Sequence, residues 1–152
     1  MKIMFVCHGN ICRSPMAEFV MKKFVQEQHL EKEISISSSA VSTEEIGNPV
    51  YPPARKKLAE HGISCEGKYA VQLRKSDYEK YDLFLVMDNS NLFYICRIFP
   101  SDPKNKIHKL LEYAGRSDDV ADPWYTGDFE KAYQDIYEGC LGLLEQITGG
   151  NL

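Results

Sequence analysis

The sequence has no Cys-x-x-Cys pair, no histidines at metal-binding spacing, and no apolar run near the roughly 20 residues that a membrane-spanning helix needs. Its five cysteines, Cys7, Cys12, Cys65, Cys96 and Cys140, are odd in number and scattered. Reduced thiols are therefore expected, rather than a disulfide frame or a zinc site. Positive charge is scarce as well: 18 Lys and Arg against 22 Asp and Glu leave a net charge of -4. That balance excludes a general attraction to nucleic acid or to an anionic membrane. The apolar start, Met1 to Cys7, is too short for the core of a secretory signal and has no small-residue cleavage site, so a cytoplasmic protein is expected. Any anion chemistry must be built from local structure.

The chain has 152 residues, 43% of them hydrophobic, enough for one domain over 1–152 with a single core. Repeats and low-complexity linkers are absent. Lys2 to Val6 reads as a strand, followed by a glycine-containing loop and then Ser14-Pro15, where Ser14 suits a helix cap and Pro15 the first helical position. Ala17, Val20, Met21, Phe24 and Val25 recur at three- and four-residue spacing, the stripe of a helix laid on a core. Further strands are expected at Ile34 to Ser38, Asp82 to Met87 and Lys106 to Leu110. Further helices are expected around Ala54 to His61, from Asp88 toward Phe99, and from about Phe129 to Ile147. The alternation predicts an α/β fold of three layers, α/β/α, with a parallel sheet whose strand ends carry the site.

Three polar features fall on that edge: the loop after Val6, Asp88, and the loop holding Asp122. Between Cys7 and Arg13 lie five residues, the length of a loop that curls its backbone N–H groups around one tetrahedral oxyanion. The expected phosphate cradle is His8, Gly9, Asn10, Ile11, Cys12, Arg13 and Ser14, with Gly9 and Asn10 as the residues for positive φ. The helix beginning at Ser14 points its positive end at the same place, and Arg13 can grip two phosphoryl oxygens at once. That field stabilises a thiolate at Cys7, the nucleophilic form of sulfur. Ser14 is positioned to donate to it. A leaving alkoxide or phenoxide needs a proton, and Asp122 in Asp122-Pro123-Trp124-Tyr125 is the candidate acid; an ordinary Asp-Pro turn is the plainer alternative. Asp88 has two readings, lining the site or capping the next helix.

These residues resemble the low-molecular-weight protein tyrosine phosphatases over essentially the whole chain. The resemblance rests on Cys7-His8-Gly9-Asn10-Ile11-Cys12-Arg13-Ser14-Pro15, Ser38 to Ser42, Gly47-Asn48-Pro49, His61-Gly62-Ile63, Met87 to Asn91 and Asp122-Pro123-Trp124, in that order. It implies a four-stranded parallel sheet with the phosphate loop between the first strand and first helix. It also implies a two-step reaction without metal or other cofactor: Cys7 as nucleophile, Arg13 on the phosphoryl group, and Asp122 as acid and then base. Asn10, Ser14 and Ser38 are implied as loop support. The implied substrates are phosphotyrosine proteins or small aryl phosphates, acted on by a monomer. Arginine phosphatases with a similar loop carry threonine where this chain has Ile11, and isoleucine favours phosphotyrosine. Cys12 either packs behind the loop or forms a protective disulfide with Cys7, and both readings stay open.

The chain departs from the family pattern at Glu44, where an aromatic is usual, at Val71 in place of an arginine, and at Trp124 in place of the commoner tyrosine. Glu44, Trp124 and Tyr125 are the expected substrate wall. Two other classes compete. A thioredoxin-coupled arsenate reductase needs a further cysteine pair, and Cys96 stands alone; a phosphotyrosine-binding module explains the anion loop but not the cysteine and the Asp-Pro loop together.

Overall fold

A computed structural model describes all 152 residues. Four parallel strands form one sheet: β1 (Lys2–Cys7), β2 (Ser35–Ala40), β3 (Leu83–Val86) and β4 (Ile107–Lys109). Their spatial order is β2-β1-β3-β4. Cys7 pairs with Ala40 on one side of β1, and Val6 pairs with Val86 on the other. The chain enters β2 on one side of β1 and later crosses to β3 on the other. That reversal opens a crevice beyond the carboxyl ends of β1 and β3, the place where open parallel sheets bind ligands.

Alternation along β1 sends Ile3, Phe5 and Cys7 to one face and Met4 and Val6 to the other. The first face is covered by α1 (Arg13–Glu27) and α5 (Phe129–Thr148), with α2 (Pro52–Glu60) packed against both helices. Met16, Val20, Met21, Ile136, Cys140 and Leu143 fill this layer. The second face packs Phe84, Val86 and Phe99 against Ile95 of α3 (Asn89–Ile98). Each fully buried aliphatic or aromatic side chain contributes roughly 1.5–3 kcal/mol, so both layers hold β1 firmly in place.

Several boundaries differ from expectation for identifiable reasons. Ser14 does not cap α1: the helix starts at Arg13, Cys12 occupies the cap position without a side-chain bond, and the Ser14 hydroxyl is used elsewhere. Strand β2 runs on to Ala40 because its pairing with β1 continues to Cys7. Asp122, expected in a loop, caps the short helix α4 (Pro123–Thr126), its Oδ1 accepting from the Trp124 amide at 3.1 Å, with Pro123 opening the helix. Helix α5 contains Gly139 and Gly142 because it lies hard against the 3-10 turn at Leu110–Ala114. A Cβ at Gly142 would sit 2.0 Å from the Tyr113 carbonyl oxygen. No helix is long and apolar enough to cross a membrane.

Candidate active site

The loop from Cys7 to Arg13 leaves the end of β1 and turns into α1 within a single tight curl. Asn10 alone among its residues takes a positive φ, 60°, and it is almost wholly buried. Gly9, expected to share that conformation, does not have a positive φ. Space is tight there: a Cβ would lie 3.2 Å from Cγ of Glu45, which would have to yield by a few tenths of an ångström. The strained turn at Asn10 is offset by bonds from both ends of its amide. Nδ2 donates to Ser14 Oγ at 2.7 Å and to Ser38 Oγ at 2.9 Å, and Oδ1 accepts from the Val71 amide at 3.1 Å. The Asn10, Ser14 and Ser38 support set is therefore assembled in space. Val71, where an arginine is usual, contributes its backbone and leaves its side chain half exposed.

The same network reaches the sulfur. Ser14 Oγ lies 3.0 Å from Cys7 Sγ, and the Ser14 amide donates to that sulfur at 3.4 Å. With Asn10 donating to Ser14 Oγ, the Ser14 hydroxyl proton is free to point at Cys7. Two donors thus converge on one sulfur. Cys12 has no side-chain cap bond and is buried. Burial, reinforced by the negative charges of Cys7 and Asp122, pushes its thiol up from 9.0 to about 12, so it stays protonated at neutral pH. Both thiols are free.

Arg13 is 2% exposed and held from three sides. Its Nη1 donates to Asp88 Oδ2 at 2.6 Å and to the Val120 carbonyl at 2.8 Å, while Nη2 lies 3.3 Å from Asp122 Oδ2. Burial works against its charge. The sulfur of Cys7 and the carboxylates of Asp88 and Asp122 outweigh that and hold the guanidinium above its ordinary value. Asp88 takes the capping role, its other oxygen accepting from the Asn91 amide of α3 at 2.7 Å, and it does not line the pocket but reaches it through Arg13. Val120 is fixed in turn by its amide bond to the Met87 carbonyl at the end of β3.

Two participants were not foreseen. Glu18, one turn into α1, is 4% exposed; it accepts from Ser38 Oγ at 2.5 Å and pairs with Lys22 at 2.5 Å and Lys68 at 3.6 Å. Lys68 also donates to the Ser38 carbonyl, and its burial lowers its pKa from the ordinary 10.5. A polar chain thus runs from these lysines through Glu18, Ser38, Asn10 and Ser14 to Cys7. The sequence clue was a Glu at the position where the helix stripe turns inward, between Ala17 and Val20 of the apolar face.

Cys7, His8, Ile11, Cys12 and Arg13 form the floor and one side of a pocket of about 130 Å³, with Glu44, Asp122, Trp124 and Tyr125 around it. The expected wall residues are therefore all at the pocket. His8 Nε2 meets Glu44 Oε2 at 2.7 Å across the rim, and Trp124 is braced by Tyr51 with ring centroids 4.8 Å apart. His29, His61 and His108 lie elsewhere; His61 ends α2 and stacks on Tyr133.

Residues 2–150 match the low molecular weight phosphotyrosine protein phosphatase family. The chain belongs to that family. Its members are metal-independent, cysteine-based phosphatases. The chain is 37% identical to the low molecular weight protein-tyrosine-phosphatase YfkJ of Bacillus subtilis over 95% of this chain and 94% of that one. It is 34% identical to PtpA of Staphylococcus aureus, over 96% of this chain and 93% of that one. The crystal structure of YfkJ superposes with a TM-score of 0.95, covering 100% of this chain and 97% of the other at 36% identity. A Drosophila arginine phosphatase is also similar, at TM-score 0.87 and 30% identity over 97% of this chain and 98% of that one. The fold leaves the choice between phosphotyrosine and phosphoarginine to the pocket residues.

Proposed function

We propose that this chain hydrolyses phosphotyrosine, on proteins or as small aryl phosphates, with Cys7 as nucleophile, Arg13 as the phosphoryl ligand and Asp122 as general acid and then base. The observation that carries the reading is the convergence of these side chains, from opposite ends of the chain, on one pocket floored by the Cys7 to Ser14 loop. A phosphoryl group seated there receives the loop amides and the Arg13 guanidinium, which is charged at any working pH. The Cys7 thiolate attacks phosphorus, the bond from phosphorus to the phenolic oxygen breaks, and Asp122 delivers its proton to that oxygen. Asp122 then takes a proton from water as the water oxygen attacks phosphorus. The sulfur–phosphorus bond breaks, and the thiolate returns to the donors at Ser14. Phosphate binding competes with Asp122 for Arg13 Nη2, which frees the carboxyl for the leaving oxygen.

Ile11 is 8% exposed and lines the pocket, where its bulk and lack of polar atoms favour a flat aryl ring over a guanidine. Trp124 supplies the facing aromatic surface. We place the protein in the cytoplasm, acting on phosphotyrosine proteins as a monomer and without a cofactor. The test compares wild type, Cys7→Ser and Asp122→Ala on aryl phosphate and on phosphotyrosine, phosphoserine and phosphoarginine peptides without added metal. Phosphotyrosine is expected to be preferred and Cys7→Ser to be inactive. Activity surviving Cys7→Ser defeats the mechanism, and a preference for phosphoarginine defeats the substrate choice.

A further inference from the structure

The charges around the pocket are out of balance for an enzyme that binds a dianion. Arg13 is the only arginine or lysine lining it, and that charge is already shared between Asp88 and Asp122. Two more carboxylates, Glu44 and Glu45, stand on the rim. Neither is paired with a lysine or arginine. The Glu44 carboxylate bonds to His8 at 2.7 Å, and the Glu45 carboxylate accepts from Asn48 Nδ2 at 2.6 Å. Glu44 is held near the loop by that contact, and its side chain is 65% exposed. Glu45 is packed over Gly9. Both are fixed beside the phosphate cradle while remaining open to a bound peptide.

The same pocket is lined by the exposed rings of Trp124 and Tyr125. Trp124 is steadied by Tyr51, so its open face is a stable platform. An aromatic face attracts ammonium and guanidinium groups through its ring quadrupole. The pocket lining therefore offers both carboxylates and aromatic faces. Both attract cations.

We propose that Glu44 and Glu45, with Trp124 in the same pocket lining, select phosphotyrosine segments that carry lysine or arginine beside the phosphotyrosine. The inference rests on the phosphotyrosine reading above and names the class of protein segment that the site takes. The phosphate enters the cradle as a dianion, and the flanking cations of the same peptide neutralise the rim that would otherwise repel it. Acidic neighbours place like charges against Glu44 and Glu45 and are rejected.

The experiment measures kcat/KM of the intact protein for three phosphotyrosine peptides that differ only in their flanking residues, which are basic, alanine or acidic, at low and high salt. A small aryl phosphate without flanks is assayed in parallel. Exposed ion pairs and cation–aromatic contacts predict about a 10-fold preference for the basic over the acidic peptide at low salt, narrowing at high salt. Replacing both carboxylates, Glu44→Gln with Glu45→Gln, brings the ratio to about 2 or below, and Glu44→Lys reverses it. Hydrolysis of aryl phosphate with no basic preference, or a preference unmoved by the Glu variants, overturns the rim proposal alone. Failure to hydrolyse any of the four substrates overturns the phosphatase reading beneath it.

Discussion

The floor of the pocket and its rim are built in different ways. On the floor, Asn10, Arg13 and Ser14 are buried, and each makes more than one hydrogen bond to a partner itself fixed by β1, β2 or β3. On the rim, Glu44, Trp124 and Tyr125 are exposed, and each of their side chains makes at most one hydrogen bond or ring contact. The floor must place a sulfur, a guanidinium and a row of amides around one tetrahedral group, and small errors in such placement are costly. The rim has only to meet a variable peptide, so it can change without disturbing the chemistry. Substitutions of the buried supports Asn10, Arg13 and Ser14 should lower kcat and stability together, those of the reacting groups they hold should lower kcat alone, and those on the rim should change KM and peptide preference.

The largest break in the comparison comes from Cys7→Ser. Loss of the nucleophile should lower kcat by at least about 10⁴-fold with little change in melting temperature, read by steady-state hydrolysis and thermal unfolding. Asp122→Asn should lower kcat by about 10²–10³-fold on phosphotyrosine and by less on an aryl phosphate whose phenol leaves without a proton. An equal loss on both substrates would count against its role as acid. Glu18→Gln, far from any substrate, should cost about 1–3 kcal/mol in denaturant unfolding and lower kcat, because it loosens Ser38 and through it Asn10. An unaltered kcat would confine that residue to stability.

The buried thiol of Cys12 sharpens the same contrast through pH. Its folded pKa is raised, so below about 9 the thiol is neutral in both states and its full contribution to stability is present. As pH rises from 9.0 toward about 12, the unfolded chain ionises while the folded chain resists, and stability is lost. Melting temperature should therefore fall across that window, and Cys12→Ser should show a shallower fall. The smallest effect belongs to the rim: Trp124→Ala should raise KM for phosphotyrosine about threefold without shifting the melting temperature, as expected for an exposed ring.

Much of the floor was legible in the sequence because its residues are contiguous. The spacing from Cys7 to Arg13, the glycine and asparagine between them, and the strand and helix on either side suffice to predict an anion cradle. The strands were legible from apolar runs, and their parallel order from the alternation with helices. What the sequence hid depends on long-range approach. The last helix was expected, but the reason for the glycines within it appears only when the turn at Tyr113 is seen against Gly142. Ser14 looks like a cap because serine usually is one, yet here its hydroxyl serves Asn10 and Cys7 instead. Glu18 lies beside the apolar stripe of α1, and only the return of β2 and Lys68 shows it to be a buried link. Glu44 stood out as a departure from the family pattern, but its pairing with His8 and its alliance with Glu45 required the fold.

The central claim, covalent catalysis at Cys7, is tested most directly by rapid acid quench of Asp122→Ala during turnover of an activated aryl phosphate, followed by mass mapping of the peptides. The account predicts a phosphoryl adduct on the peptide bearing Cys7, absent from Cys7→Ser. Phosphate release with no such adduct at any time, or an adduct on another residue, would contradict it.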